Sequence, residues 1–508
     1  MLKKLLSVGG FTLLSRLTGF ARDVVFAAVM GAGLVADAFF VALRLPNHFR
    51  AIFGEGAFNA AFIPAYARIL TTDGAEAARR FADRVFSLLT LVQLALLAAA
   101  LAFMPQFIDL MAPGFRDEPA KFELTVTLTR ITFPYLLFIT LVTLVSGVLN
   151  AADRFAAAAG APILLNLSLI VAMGVAFLFP TAGHAAAWGV AAAGVLELAL
   201  VCWDARRAGL APRFAVPRFD ADMVAFFKVL GPAVIGSAGV QIAMFADTII
   251  AAMLPTGAIS SLYYADRLYQ LPVGVVGIAA GTVLLPEMSR RIAGGDVAGA
   301  HGAQNRAAIF TLVLAAPCAV AFLTVPDLIM QALFGRGAFT AEDAAAAGAV
   351  LAAYATGLPA VVLIRSAVAS FYSRADTATP VIASLSAVAV NVALKVLLVG
   401  SMAAPGLALA TAVGAWVNVL LLFVLAKRRE WTAPSREFGR AIFAIAVACA
   451  VLGLAALAAE RWGEGLLPAA LPWRPQVLIV LVAAAGALAY GATLLAGLRL
   501  MRVPLRRV

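Results

Sequence analysis

Apolar runs of about twenty residues recur along the whole 508-residue chain, separated by short polar stretches rich in Gly, Pro and Arg. A run of that length as a helix crosses the hydrocarbon core of a bilayer. On that criterion the sequence predicts spans near 5–30, 34–53, 84–108, 125–150, 158–180, 185–205, 223–253, 258–288, 306–334, 344–372, 378–400, 405–427, 438–459 and 475–498, about fourteen in all. Pro105, Pro113, Pro180, Pro255 and Pro405 mark span ends, and Gly54-Glu55-Gly56 ends the second. The apolar/polar alternation of a barrel strand is absent, so the spans read as helices, whose backbone polar groups are satisfied internally. The fold class is therefore an all-α polytopic membrane protein.

The pattern also repeats. ARDVVFAAVMGAG, containing Asp23, aligns with FADTIIAAMLPTG, containing Asp247, and FIPAYARI aligns with LLPEMSRRI. A duplicated unit of six spans predicts two pseudo-symmetric lobes, residues 1–212 (spans one to six) and 219–428 (spans seven to twelve). Two further spans, within 431–508, fall outside the duplication.

Composition agrees with this class, at 63% hydrophobic and 13% charged residues. The first apolar run follows MLKKLLSVGG without a small-residue cleavage site, so it reads as a retained span. The net charge of +11 does not mark a nucleic-acid surface. With both termini cytoplasmic, roughly 25 of the 38 Lys and Arg residues fall in cytoplasmic loops and tails, including Arg79, Arg80, Arg206, Arg290, Arg291 and the Lys427-Arg428-Arg429 run, so the charge is mostly a topology signal. Cys202, Cys318 and Cys449 are isolated in apolar segments, and His48, His184 and His301 have no ligand spacing, so neither disulfide nor metal is expected. No P-loop is present, and no cofactor is implied.

One stretch departs from the apolar norm. Between Ser15 and Phe58 the first two spans carry Arg16, Arg22, Asp23, Asp37, Arg44, Arg50 and Glu55. Each such charge costs roughly 2.5–3.5 kcal/mol at mid-membrane, so a cluster implies a watered cavity. Its net sign is positive, which points to an anionic substrate. The second copy supplies Asp247, Asp266 and Arg267. In duplicated transporters the substrate site lies between the repeats, and rocking of one lobe on the other gives alternating access. Arginine suits a phosphate or pyrophosphate because its planar fork donates two parallel hydrogen bonds and stays charged. Bland alternatives stand beside this reading: Arg44 and Arg50 could snorkel to an interface, Asp23 could be only the counter-charge of Arg22, and Glu197 has no evident partner.

SRLTGFARD, ADAFFVALRLPNHFR, FGEGAFNAAFIP and YYADRLYQLPVGVVGIAAGTVLLP resemble the MurJ (MviN) family of bacterial lipid II flippases, whose superfamily includes MATE exporters and polysaccharide flippases. The resemblance runs from about residue 5 to the last span. It implies two six-span lobes around a cationic central cavity, with the last two spans forming a groove for the undecaprenyl chain. Arg16, Arg22, Asp37, Arg50 and Arg267 match positions the family treats as essential. Arg22, Arg50 and Arg267 match the arginines around the lipid pyrophosphate, and Asn47 and Glu55 match cavity-side positions. After YYADRL the chain has Tyr269-Gln270 where relatives can carry a Glu, which puts a gating salt bridge from that position in doubt.

Some relatives resemble sodium-binding proteins at an ion site made by a carboxylate and neighbouring polar groups. Here Asp247, Asn391 and Thr411 match that site, but Lys395 stands where a carboxylate would, so an Asp247–Lys395 pair without a sodium requirement is expected, the alternative being that Lys395 snorkels toward the periplasm and never meets Asp247. The implied function is flipping of lipid II to the periplasmic leaflet for peptidoglycan biosynthesis. The implied partners are lipid II and membrane lipids, with no nucleic acid, and the protein is expected to be a monomer in the bacterial inner membrane. The alternatives are export of another lipid-linked oligosaccharide or MATE-like drug export. The excess of Arg argues against a cationic drug, and no acid/base or metal constellation marks an enzyme.

Overall fold

The computed structural model describes residues 2–50, 56–216, 218–468 and 470–502. Among the described residues every regular element is helical: α1 (Leu2–Met30), α2 (Leu34–Arg50), α3 (Gly56–Thr72), α4 (Ala75–Ala102), α5 (Met104–Met111), α6 (Pro119–Thr132), α7 (Tyr135–Ala151), α8 (Ala156–Gly174), α9 (Ala182–Arg207), α10 (Ala221–Ala252), α11 (Ala258–Ala293), α12 (Val297–Thr324), α13 (Pro326–Phe334), α14 (Ala341–Ala355), α15 (Leu358–Tyr372), α16 (Ala378–Arg428), α17 (Arg436–Leu466) and α18 (Arg474–Leu500). The polar turns that break the hydropathy pattern also start the helices. Thr181, Asp220, Asp296, Thr340 and Ser435 each accept a hydrogen bond from a backbone N–H of the first turn that follows, satisfying a donor the helix cannot.

Nine helical stretches among the described residues, with α6–α7 and α14–α15 each counted as one, are long and apolar enough to cross a membrane. One of them is α16, whose 51 residues would run to about 76 Å if straight, more than twice a hydrocarbon core. It doubles back instead at Ala403, which takes φ 49°, two residues before Pro405. That bend falls between the two spans predicted at 378–400 and 405–427. Helices α1, α2, α10 and α11 are outside the nine, and a count of fourteen rests on assigning them to the membrane as well.

The same breaks recur in both halves of the chain. The third span of each copy is cut short, at Phe103 and at Val325, and continues as a short helix with Pro in its first turn, α5 or α13. The fourth span is broken too, at Phe133-Pro134 and at Thr356-Gly357. Proline lacks the N–H an interior turn needs, so each interruption falls where the helix ladder is already weakened. Hydropathy alone reads through these breaks. It also misses α3 and starts the third span at 84, whereas α4 begins at Ala75 with a turn carrying Glu76, Arg79 and Arg80.

The chain forms two compact units, Met1–Ile259 and Ser260–Val508. In the first, Leu45 of α2, Met104, Ile108 and Met111 of α5, and Val126 of α6 meet in one core with Phe133 and Leu136. The segment between α9 and α10 lies along α4: the Arg213 and Ala215 amides donate to Asp83 and Ser87 at 2.7 and 2.8 Å, and Arg84 pairs with Asp220. Small residues set the close helix contacts, as packing in lipid requires. A methyl group at Gly189 would come within 2.8 Å of the Ala172 Cβ on α8.

In the second unit α17 and α18 dock on α12 through Ile309, Ile445, Leu452 and Leu494, and the Tyr490 hydroxyl donates to the Val313 carbonyl at 2.8 Å. The link from α16 to α17 is pinned at Trp431, whose ring lies under the Arg374 and Arg429 guanidinium groups. Arg429 also pairs with Asp376 at 2.6 Å. Hydrogen bonds from the Thr379 hydroxyl and amide, with that guanidinium, hold the Asp376 carboxyl down at about 2. Its contribution is therefore present above the ordinary carboxylate range and is lost as pH falls through about 2.

Candidate functional site

The charges of α1 are organised around Arg22. Its side chain is 11% exposed, and its Nε and Nη2 donate to Asp23 Oδ1 at 3.0 and 2.7 Å. Nη1 donates to Asn166 Oδ1 of α8 at 2.9 Å, and the guanidinium lies 5.6 Å from the Phe26 ring centre. Asn166 is fixed in turn, since its Nδ2 donates to the Ser15 carbonyl at 3.0 Å and to Thr18 Oγ1 at 3.2 Å. Gly19 lets the two helices approach, because a Cβ there would already touch the Asn166 amide at 3.4 Å. The guanidinium thus meets any ligand with its plane set by two acceptors on different helices, which lowers the entropic cost of a bidentate contact. Arg16 is exposed on the same helix, about 120° around from Arg22, so the two do not share a face.

Asp37, in the first turn of α2, is fully buried. Its Oδ2 accepts from the Gly257 amide at 2.8 Å and lies 3.2 Å from the Lys121 ammonium of α6. Lys121 is 1% exposed, donates to Thr256 Oγ1 at 2.8 Å and sits 4.3 Å from the Phe115 ring centre. Thr256 passes the chain on by donating to the Glu118 carboxylate at 2.7 Å. The network therefore ties α2 and α6 to the segment that follows α10. The 3-10 turn at Pro113–Asp117 presses on the same place, since a Cβ at Gly114 would come within 2.4 Å of the Ala252 carbonyl.

Asn47 and Arg50 lie half-buried on the last turn of α2, and Glu55 lies outside the described residues. In the second unit Arg267 is half-buried on α11, its guanidinium 4.6 Å from the Tyr263 ring one turn earlier. Gln270 donates to Asp266 at 3.3 Å. A Glu at that position would set two carboxylates one turn apart, a repulsion that Gln270 avoids. Tyr269 stacks on Tyr354 of α14, ring centres 5.1 Å apart.

Of the expected ion-site residues, Asn391, Lys395 and Thr411 share α16. Its bend brings Asn391 against Gly414, where an added Cβ would lie 2.9 Å from the Asn391 Cβ, one turn from Thr411. Lys395 is 3% exposed, and the Thr411 hydroxyl donates to the Leu407 carbonyl at 3.0 Å. Asp247 is half-buried on α10, in the first unit.

Sequence reasoning missed Asn166, Lys121 and the partners of Glu197. Two of these carried a signal. Asn166 is the lone amide in an apolar helix, and Lys121 is a lone lysine just ahead of the apolar run expected at 125–150.

A family profile described as "Lipid II flippase MurJ" matches residues 26–472. The probable lipid II flippase MurJ of Rhizobium meliloti is 43% identical over 96% of this chain and 92% of its own length. The lipid II flippase MurJ of Burkholderia cenocepacia is 34% identical over 90% and 89%. A solved lipid II flippase MurJ in an inward closed conformation superposes with a TM-score of 0.80 over 97% of this chain and 99% of that one, at 24% identity. An inward-facing MATE-family multidrug transporter shares the fold at a TM-score of 0.62 and 14% identity, over 84% and 97%. On this profile match and these identities, held over nine-tenths of the chain, the protein belongs to the MurJ family of lipid II flippases.

Proposed function

We propose that this protein flips lipid II, the lipid-linked peptidoglycan precursor, from the cytoplasmic to the periplasmic leaflet of the bacterial inner membrane by alternating access. The observation that carries the reading is Arg22, a cation held in orientation by Asp23 and Asn166 within an apolar helix pair of a chain 43% identical to a probable lipid II flippase. Arg22, Arg50 and Arg267 grip the pyrophosphate, while Arg16, Asn47 and Glu55 line the cationic cavity. Asp37 takes part through Lys121. The protein acts as a monomer with both termini cytoplasmic, and it transports without catalysing a covalent step. Movement of negative charge outward is favoured by an inside-negative potential, at about 2.3 kcal/mol per charge per 100 mV. Depletion of the host flippase, complementation by this chain and a readout of lipid II exposure at the outer leaflet test the assignment. A chain that inserts but exposes no lipid II would overturn it.

The undecaprenyl tail stays in the bilayer along the last two spans. Support comes from an apolar cavity of about 300 Å³ in the second unit, lined by Leu312, Val320, Pro359, Ile445 and Cys449 of α12, α15 and α17. Only α17 of the last two spans contributes to it.

The second-lobe ion site carries its own prediction. The ion-site reading pairs Asp247 with Lys395 in place of an ion, so transport is expected to need no sodium. Removing one member of a buried pair strands the other charge, at about 3–5 kcal/mol, whereas removing both is milder. Lys395→Ala is therefore expected to impair complementation more than Asp247→Asn with Lys395→Ala. Sodium-stimulated transport by the unmodified protein would refute the pairing.

A further inference from the structure

Helix α6 leads into an apolar run and still carries polar residues on two opposite sides. One side holds Lys121, Thr125, Thr129 and Thr132, all buried, and the three hydroxyls donate to the backbone carbonyls of Lys121, Thr125 and Ala42 at 2.7, 2.7 and 3.0 Å. The other side holds Glu123, Thr127 and Arg130, all exposed. Positions 123, 127 and 130 fall within about 60° of one another around a helix, so they form one stripe. None of the three makes a hydrogen bond or ion pair with a described residue. A charge within a span is costly and is retained where it meets a partner.

Two observations say what covers the stripe. Where α6 begins, the stripe opens into a cavity of about 360 Å³ lined by Gln106 and Asp109 of α5, Arg116 of the 3-10 turn, and Phe122 and Glu123 of α6. Asp109 takes up the charge of Arg116, so the carboxylate left over in the cavity is that of Glu123, and it calls for a cation. Arg130 lies about 10 Å further into the span and calls for an anion. Beside the cavity, Leu110 of α5 and Phe103, which caps that helix, are 64% and 63% exposed. Large apolar side chains presented this openly suit hydrocarbon and not a water-filled path, so the stripe faces the bilayer.

We propose that the stripe of Glu123, Thr127 and Arg130 binds one phospholipid of the bilayer whose headgroup ends in a primary ammonium. Glu123 accepts from the ammonium in the cavity. Arg130, whose side chain leans toward the start of its helix, and the Thr127 hydroxyl donate to the phosphate that follows, and the acyl chains run down past Leu110 and Phe103. The order of charges is that of the lipid itself: amine toward water, phosphate next, hydrocarbon deepest. A phospholipid with an anionic headgroup and no amine would leave Glu123 without a counter-charge. A quaternary ammonium would supply the charge but no donor to the carboxylate. The inference stands apart from the flippase reading, since it uses neither lipid II nor Arg22, Arg50 and Arg267.

The test is photo-crosslinking of the full chain in phosphatidylcholine nanodiscs that carry a small fraction of phosphatidylethanolamine with a diazirine in one acyl chain, the adducts being mapped by digestion and mass spectrometry. Labelling is expected to concentrate on α5 and α6, to fall with excess unlabelled phosphatidylethanolamine and to persist with the same excess of phosphatidylglycerol. Glu123→Gln and Arg130→Gln are each expected to lower it about three- to tenfold. Both side chains are exposed, so thermal midpoints should hold and the loss cannot be put down to unfolding. Labelling spread evenly over the lipid-facing helices overturns the proposal. So does labelling unchanged in either variant, which for Arg130 would mean a side chain that only snorkels. Competition by phosphatidylglycerol as strong as by phosphatidylethanolamine would leave the amine without a role, and displacement by lipid II alone would give the stripe to the transported lipid; each overturns it as well.

Discussion

Arg22→Ala, Arg50→Ala and Arg267→Ala are each expected to abolish complementation of a flippase-depleted strain while leaving expression and membrane insertion intact. The argument is one of charge and geometry together. A charge-assisted hydrogen bond is worth about 1.5–3 kcal/mol net, so losing one guanidinium should weaken capture of the pyrophosphate by roughly 10- to 100-fold before any effect on the transport step. Lysine should rescue only in part. At Arg22 the reason is visible: the fork serves Asp23 through Nε and Nη2 and Asn166 through Nη1, and a single ammonium cannot meet both with that geometry. Asn166→Ala should then mimic part of the loss without removing the charge, since Arg22 keeps Asp23 but loses the contact that fixes its plane against α8. Normal complementation by Arg267→Ala, or by Arg22→Ala, would remove the pyrophosphate-binding role from that position.

Much of the fold was legible because a bilayer makes few demands and makes them everywhere. Twenty apolar residues must be helical, so hydropathy placed most spans, and the two copies of the duplication break at matching points because each carries its own Pro or Gly there. The short helices α5 and α13 were not legible, since an eight- or nine-residue helix leaves no distinct period in an apolar run. The site was legible only one side chain at a time. Arg22 announces itself as a charge within a span, but its partner Asn166 lies 144 residues away, and the Gly257 amide that meets Asp37 lies 220 residues away. No spacing rule reaches that far. Glu197 showed the same limit: its burial followed from the apolar run around it, while Tyr135 comes from another helix.

Lys121→Met is expected to destabilise the purified protein more than any exposed substitution, and more than the double change Asp37→Asn with Lys121→Met. Both side chains are essentially out of solvent, and the ammonium has Asp37, Thr256 and the Phe115 ring around it. Removing the lysine alone leaves a carboxylate with the Gly257 amide as its donor, at a cost of about 3–5 kcal/mol, because desolvation of the remaining charge is no longer offset. In the double variant the side-chain amide oxygen introduced by Asp37→Asn would still accept from Gly257, the site carries no charge, and the Met side chain fills the lysine's volume. The cost there should fall to about 1–2 kcal/mol, mostly the lost Thr256 hydrogen bond. Thermal inactivation midpoints of the wild type, both single variants and the double variant close the cycle. The coupling should survive an increase in salt, since a pair this buried is screened far less than a surface pair. A double variant as unstable as Lys121→Met alone would show that Asp37 and Lys121 do not act as a pair, and the tie between α2, α6 and the segment after α10 would then rest on the separate Asp37–Gly257, Lys121–Thr256 and Thr256–Glu118 hydrogen bonds.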